Sequence, residues 1–239
     1  MRNLLLAGAR AMGLALTEEA ADSFALYHAM LIEANRTMNL TRVPDDPAEA
    51  VDRNYLDSLA LLTVPGLTEN VRTLCDVGAG AGFPGIPLAI ARPDIRVTLM
   101  DSLGKRVAFL NGVIERLGLN AEAVHIRAEE AARLASYRDA FDLVTARAVA
   151  ALPVLCELAL PLVKPGGHFA AYKGPSLDEE LPASQTVMKR LNAGEAACFP
   201  APIPGRDWDH RLCVVKKLGA TPKSFPRKPG EAARNPILR

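Results

Sequence analysis

The chain has 239 residues, 49% hydrophobic and 23% charged, with a formal net charge of +1. Those proportions are ordinary for a folded globular protein with a substantial core, and they exclude a disordered or fibrous chain. Four scattered cysteines (Cys75, Cys156, Cys198, Cys213), with no CxxC pair and no histidine cluster, exclude a disulfide framework and a zinc site and favour a reducing compartment.

The opening MRNLLLAGARAMGLAL is apolar enough to raise a signal peptide, but Arg10 interrupts it and the pattern is amphipathic. No other stretch approaches the roughly 20 apolar residues that cross a bilayer. A soluble, cytoplasmic protein is expected, with no membrane partner; the oligomeric state stays open, a monomer being expected.

Residues 17–36 carry apolar side chains at helical spacing (Phe24, Tyr27, Leu31 among them), with Thr17 placed as N-cap. A second helical stretch covers 47–63, set off by Pro44 and Pro47. From residue 72 short β-like runs alternate with helical patterns: RTLCDV, RVTLMD, AVHIR, FDLVTA, GGHFAAYK and RLCVVKK, with helices at 85–91, 102–117, 128–135, 151–163 and 178–192. Such alternation predicts βαβ units and a mostly parallel sheet with helices on both faces. The expected organisation is an N-terminal helical extension (1–66), an α/β core (67–219) and a basic C-terminal tail (220–239), in one compact domain. In the helix at 102–117, Ser102 is placed as the cap and Gly118 as the left-handed terminus. Lys105 and Arg106 fall in its first turn, where the dipole disfavours cations; an anionic neighbour or an ordinary solvated face explains them.

The segment CDVGAGAGFPG, Cys75 to Gly85, follows the first predicted strand of the sheet. Gly78 and Gly80 allow close backbone approach to a ligand, and Gly82 a tight entry into the next helix. A dinucleotide site wants GxGxxG; here Phe83 stands at the third glycine, where its ring is expected to crowd a pyrophosphate. The second strand ends in Asp101, about 20 residues on, as ribose recognition requires. A nucleoside without a pyrophosphate but with a positive centre describes S-adenosylmethionine (SAM). The third strand runs into Ala128-Glu129-Glu130, which offers an amide and a carboxylate for an adenine edge. The fourth leads to Arg147, a candidate for the methionine carboxylate or an RNA phosphate.

The runs DVGAGAGFPGIPLAI, LMDSLGKRVAFL, RAEE, DLVTARA, KPGG and AYKG, together with Asn39-Leu40-Thr41, Asp57-Ser58, Arg211 and the FPRKPG ending at Gly230, closely resemble the bacterial 16S ribosomal RNA guanine-N7 methyltransferases, the RsmG or GidB family. The resemblance implies a Rossmann-like class I SAM-dependent methyltransferase fold and methylation of N7 of one 16S rRNA guanosine, guanine 527, near the decoding site. It places cofactor contacts on Gly78, Phe83, Ala128, Glu129 and Arg147, and matches Asp101 to the family's strand-two acid. Ala34, Asn54 and Phe225 depart from common family residues, outside the cofactor cleft.

Guanine N7 has a free lone pair and needs no general base. Consistently, TARA stands where amine methyltransferases carry an NPPY-like segment, and no cysteine follows proline as a pyrimidine-C5 nucleophile would. No catalytic residue is assigned. From Lys216 on there are seven basic residues against one acid, leaving 21 basic and 26 acidic in the preceding 215. Lys173, Arg211, Arg227 and Lys228 are the candidate RNA contacts, and deletion after Lys223 is expected to weaken RNA binding while sparing the cofactor. Asn39 and Asp57 are read equally as lid residues or helix caps. Three rival functions stand: a nicotinamide oxidoreductase, a non-catalytic SAM- or ribosome-binding module, and methylation of another RNA, a protein or a small molecule.

Overall fold

The computed structural model describes residues 1–44 and 46–238. Arg2–Ala11 (α1) and Glu18–Met38 (α2) open the chain. The Thr17 hydroxyl accepts from the Ala20 amide at 3.1 Å, as its cap position predicts, and Asn39 ends α2 in the left-handed conformation. Pro47–Ala50 (α3), a π-helical turn over Val51–Leu56, Asp57–Leu59 (α4) and a 3-10 turn over Ala60–Thr63 then run end to end.

Seven strands form one sheet: Thr73–Val77 (β1), Arg96–Asp101 (β2), Ala121–His125 (β3), Phe141–Arg147 (β4), Val163–Lys173 (β5), Ala193–Pro200 (β6) and Arg211–Lys217 (β7). Their order is β3-β2-β1-β4-β5-β7-β6. The first five are parallel; β7 runs antiparallel to β5, and β6 to β7. Helices Gly85–Ala91 (α5), Gly104–Leu117 (α6), Ala128–Ala131 (α7), Leu152–Ala159 (α8) and Leu177–Arg190 (α9) connect them, and Glu231–Arg234 (α10) lies near the C-terminus. The sequence reading finds every strand except β6. Strand order reverses between β1 and β4, and a ligand crevice is expected outside the carboxyl ends of the strands at that switch point.

Two apolar cores flank the sheet. One packs Phe24, Tyr27 and Leu31 of α2 and Leu56 against Ile86, Leu99 and Leu110. The other packs Leu152, Leu155 and Val187 against Val144 and Phe169, and takes in Phe225 of the tail. Helix α6 ends at Gly118 with φ 62°, as expected. Its start differs from expectation. Leu103 is the N-cap residue, and the Asp101 carboxylate, not the Ser102 hydroxyl, accepts from the Leu103 amide at 2.9 Å. An acid already fixed at a strand end satisfies that amide, which leaves Ser102 on the cleft wall.

The tail is not a loose basic arm. The buried Lys217 Nζ ends β7 by donating to Thr221 Oγ1, Leu160 O and Asp139 Oδ1 at 2.6, 2.7 and 3.1 Å. Arg138 then donates to the carbonyls of Thr221, Pro222 and Phe225, and Arg133 to those of Pro226 and Arg227. Arg227 forms a two-bond ion pair with the buried Glu157 of α8, at 2.7 and 2.6 Å. Residues 221–234 are thereby drawn up along α7 and α8 to the carboxyl ends of the strands.

Candidate active site

Asp76, inside β1, prepares the glycine turn. Its Oδ2 accepts the Gly85 amide at 2.9 Å, one of the orphan donors opening α5, and its Oδ1 accepts the Thr145 hydroxyl at 3.1 Å. Burial pushes this carboxyl up to about 7, although the Gly85 and Thr145 bonds and the nearby Arg147 charge pull the other way. Across the turn, Tyr27 donates its buried hydroxyl to the Ala81 carbonyl at 2.6 Å. Gly78 and Gly82 combine positive φ with crowding, and a Cβ on Gly85 would run into Leu99. A Cβ on Gly78 (φ +70°) would lie 2.7 Å from Val149 Cγ2, and one on Gly82 (φ +108°) 2.6 Å from Ile86 Cγ1.

Above this turn lies an open cleft of about 400 Å³, walled by Gly78, Asp101, Ser102, Ala128 and Glu129 from the strand ends. Its other wall holds Val149 and Val154, together with Gly230 and Ala233 from the tail. Asp101 accepts from the Gly80 amide at 2.9 Å and lies 3.5 Å from Arg106 Nη1. The anionic neighbour suggested by a cation in the first turn of α6 is therefore Asp101. A carboxylate offers about four lone-pair sites, so Asp101, after Gly80, Leu103 and Arg106, retains capacity for a ligand hydroxyl. Glu129 Oε1 accepts the Gly230 amide at 2.8 Å, which fastens the tail to the cleft wall.

Four of the seven cofactor candidates thus line the cleft: Gly78, Asp101, Ala128 and Glu129. Gly80 stands just behind it. Phe83 does not face it, contrary to the steric argument made from its position. The ring is 5% exposed and packs on Tyr27 and Tyr55, with centroids 5.5 and 5.6 Å away; burying a side chain of this size favours the fold by about 1.5–3 kcal/mol. Arg147 also lies outside, its guanidinium 4.9 Å over the Phe83 ring and its Nη1 2.7 Å from Asp57 Oδ2.

Arg147 belongs instead to an adjoining pocket of about 260 Å³, which Asp57, Tyr172, Lys173 and His210 also line. Ala148 is common to pocket and cleft, and its φ of +55° is unusual for a residue with a side chain. His210 Nδ1 lies 2.8 Å from Asp57 Oδ1. Burial would raise the Asp57 carboxyl, but the bond to His210 and the charge and bond of Arg147 together outweigh it, so the net direction is down. Asp57 is therefore a buried charge at the junction of the π turn and α4. This pocket is poorly marked in the sequence, since Asp57 and His210 stand 153 residues apart.

The RNA candidates are mostly engaged. Lys173 pairs with Glu180 at 2.6 Å, Arg211 with Asp178 and Asp209, and Arg227 with Glu157, while Lys228 is exposed. Deletion after Lys223 is expected to spare the cofactor, yet Gly230 and Ala233 of the tail line the same cleft as Gly78 and Asp101. No cysteine lines cleft or pocket. Among the described residues no helix is long and apolar enough to cross a membrane, and no cluster of metal-ligating side chains occurs.

A sheet in this order, with a glycine turn after β1, an acid closing β2 and a cleft at the switch point, defines a Rossmann-like class I methyltransferase. Solved structures of this fold include cofactor-bound Rv0187 from MTB (18% identity, 83% of this chain and 90% of that one, TM-score 0.56). The S-adenosylmethionine-dependent methyltransferase SibL is similar at 17% identity over 84% of this chain and 73% of its own, TM-score 0.54. Residues 20–199 match the family model GidB, rRNA small subunit methyltransferase G. Relatives named ribosomal RNA small subunit methyltransferase G, from Limosilactobacillus reuteri and Clostridium botulinum, are each 43% identical; the matches span 94% of both chains for the first and 98% of both for the second. The chain belongs to this family of SAM-dependent methyltransferases of small-subunit ribosomal RNA.

Proposed function

We propose that this protein methylates N7 of a single guanosine of 16S rRNA, the one at position 527, in the free RNA or in the small ribosomal subunit. The observation that carries this reading is the meeting, at Ala148, of a nucleoside-sized cleft with a smaller polar pocket that contains no cysteine. A target with its own lone pair needs only to be placed there. A pyrimidine carbon would need a nucleophilic cysteine, which neither cleft nor pocket offers.

Bound in the cleft, SAM would supply a methyl group on a positively charged sulfur, open to displacement by a lone pair. The protein's part is placement and electrostatics. Asp101 and Ser102 offer acceptors for ribose hydroxyls, and Ala128 and Glu129 a boundary for adenine. Gly78 leaves the floor open where a side chain would intrude. Gly230 and Ala233 bound the cleft on the tail side. Lys173, Arg211, Arg227 and Lys228 remain the proposed RNA contacts, with Lys228 the one best exposed; among the paired ones Arg211, whose partners Asp178 and Asp209 are exposed, exchanges a carboxylate for a phosphate most readily, and Arg147 stays on Asp57.

The test is incubation with labelled SAM and small subunits lacking the modification, followed by borohydride and aniline cleavage and primer extension. A single stop at guanine 527 is expected. Label at another atom or position would refute the assignment, and tight NAD binding in place of SAM would refute the cofactor.

A further inference from the structure

We propose that the pocket beside the cofactor cleft seats the target guanine, and that the Asp57 carboxylate, clamped between Arg147 and His210, reads the base's Watson–Crick edge. The inference rests on the preceding reading that guanine N7 is the methyl acceptor.

The pocket adjoins the cleft through Ala148, so an occupant of one can touch an occupant of the other. Its wall holds an ionised carboxylate 7% exposed, a poor surface for a phosphate but a good one for a neutral ring carrying donors. Arg147 binds one carboxylate oxygen and His210 the other. With about two lone pairs per oxygen, one acceptor position remains on each, side by side. Among the four RNA bases only guanine presents two neighbouring donors on that edge, N1–H and N2–H2. Adenine and cytosine present a ring acceptor there, and uracil a single donor between two carbonyls. Enzymes that act on an extruded base commonly read it by this edge.

Orientation and charge agree. Guanine held at Asp57 by N1 and N2 has N7 on its far side, free to face the cleft. Methylation there places a positive charge on the purine, and a carboxylate at N1–H is a preorganised counter-charge for it. The backbone on both walls is also unusual. Asp57 follows a π-helical turn, a feature frequent at functional sites, and the left-handed Ala148 costs roughly 1–2 kcal/mol that local packing must offset. Asn54 Nδ2, buried within that same π turn, has no hydrogen-bond partner among the described residues.

The experiment compares small subunits, or a 16S fragment, carrying guanosine or inosine at the target. Inosine keeps N7 and N1–H but lacks the 2-amino group. The unaltered protein is expected to methylate inosine with kcat/KM at least tenfold lower. In Asp57→Asn, which preserves side-chain size, kcat/KM for guanosine is expected to fall about 100-fold. The guanosine-to-inosine ratio should then collapse to within about twofold, with SAM affinity by calorimetry within threefold. Equal use of guanosine and inosine by the unaltered protein would overturn the proposal without any variant. So would an Asp57→Asn enzyme that loses both activities by one factor and keeps the ratio, because Asp57 would then only anchor Arg147 and His210. Methylation of an atom other than N7 would overturn the broader functional reading, and this one with it.

Discussion

Substituting Arg227 by alanine should weaken cofactor binding, although Arg227 is not among the residues lining the cleft. Its guanidinium holds Glu157, a carboxylate 2% exposed on the helix that also bears Val154 and Leu158 of the cleft wall. Removing one partner of a buried pair leaves an uncompensated charge, at about 3–5 kcal/mol. At about 1.4 kcal/mol per decade, that is roughly a 100- to 4000-fold shift in the equilibrium holding the tail closed. The sheet ends at Lys217, so the tail can peel away without opening the core. The contacts still opposing peeling are the guanidinium-to-carbonyl bonds from Arg133 and Arg138, the bonds of Thr221 to Asp139 and Lys217, the Gly230–Glu129 bond and the buried Phe225. We expect SAM affinity by calorimetry to drop tenfold or more, amide exchange across 221–235 to accelerate, and the melting temperature to move only a few degrees. In a Glu157→Gln background no buried charge is stranded, so the same substitution should cost only about 1 kcal/mol. Unchanged affinity and protection, or equal cost in the two backgrounds, would refute the argument.

Asp101→Ala should lower SAM affinity at least tenfold and destabilise the start of α6 slightly, since the Gly80 and Leu103 amides lose their acceptor; calorimetry paired with far-ultraviolet dichroism checks both. Asp76, whose carboxyl is raised from 3.8 to about 7, holds its proton more tightly folded than unfolded. Its contribution to stability is therefore full below about pH 4 and is lost as pH rises through 7, by at most about 4 kcal/mol. The difference in melting temperature between Asp76→Asn and the unaltered protein should accordingly shift in the variant's favour between pH 5 and pH 8, and a pH-independent difference would contradict this. Tyr27→Phe strands the buried Ala81 carbonyl; a loss of about 1–3 kcal/mol in urea unfolding and a several-fold weaker SAM affinity are expected.

The glycine turn, the acid at Asp101 and the Gly118 helix end were legible because each is a local requirement written in consecutive residues. Strand β6 was not, because AGEAACFP lacks period-two alternation and lies at the sheet edge, half exposed along its length. The tail's composition pointed to RNA, yet the counterion of Arg227 sits 70 residues earlier, and counting charges cannot show a pairing made by the fold. Phe83 failed for a related reason. Its position relative to the glycines was read correctly, but the direction of its ring depends on Tyr27 and Tyr55, which local spacing does not reveal. Asp57, Arg147 and Lys173 were each singled out in the sequence, but the pocket that joins α4 to the loop before β7 was not, because nothing local links Asp57 to His210.

The hydrogen bond from Tyr27 to the Ala81 carbonyl ties a helix made early in the chain to the turn beneath the cleft. Affinity for the methyl donor can consequently drift through changes on the buried side of that helix, with every atom that meets the donor left as it was. Comparing such enzymes by their ligand-touching residues alone would rank as equivalent some that bind quite differently.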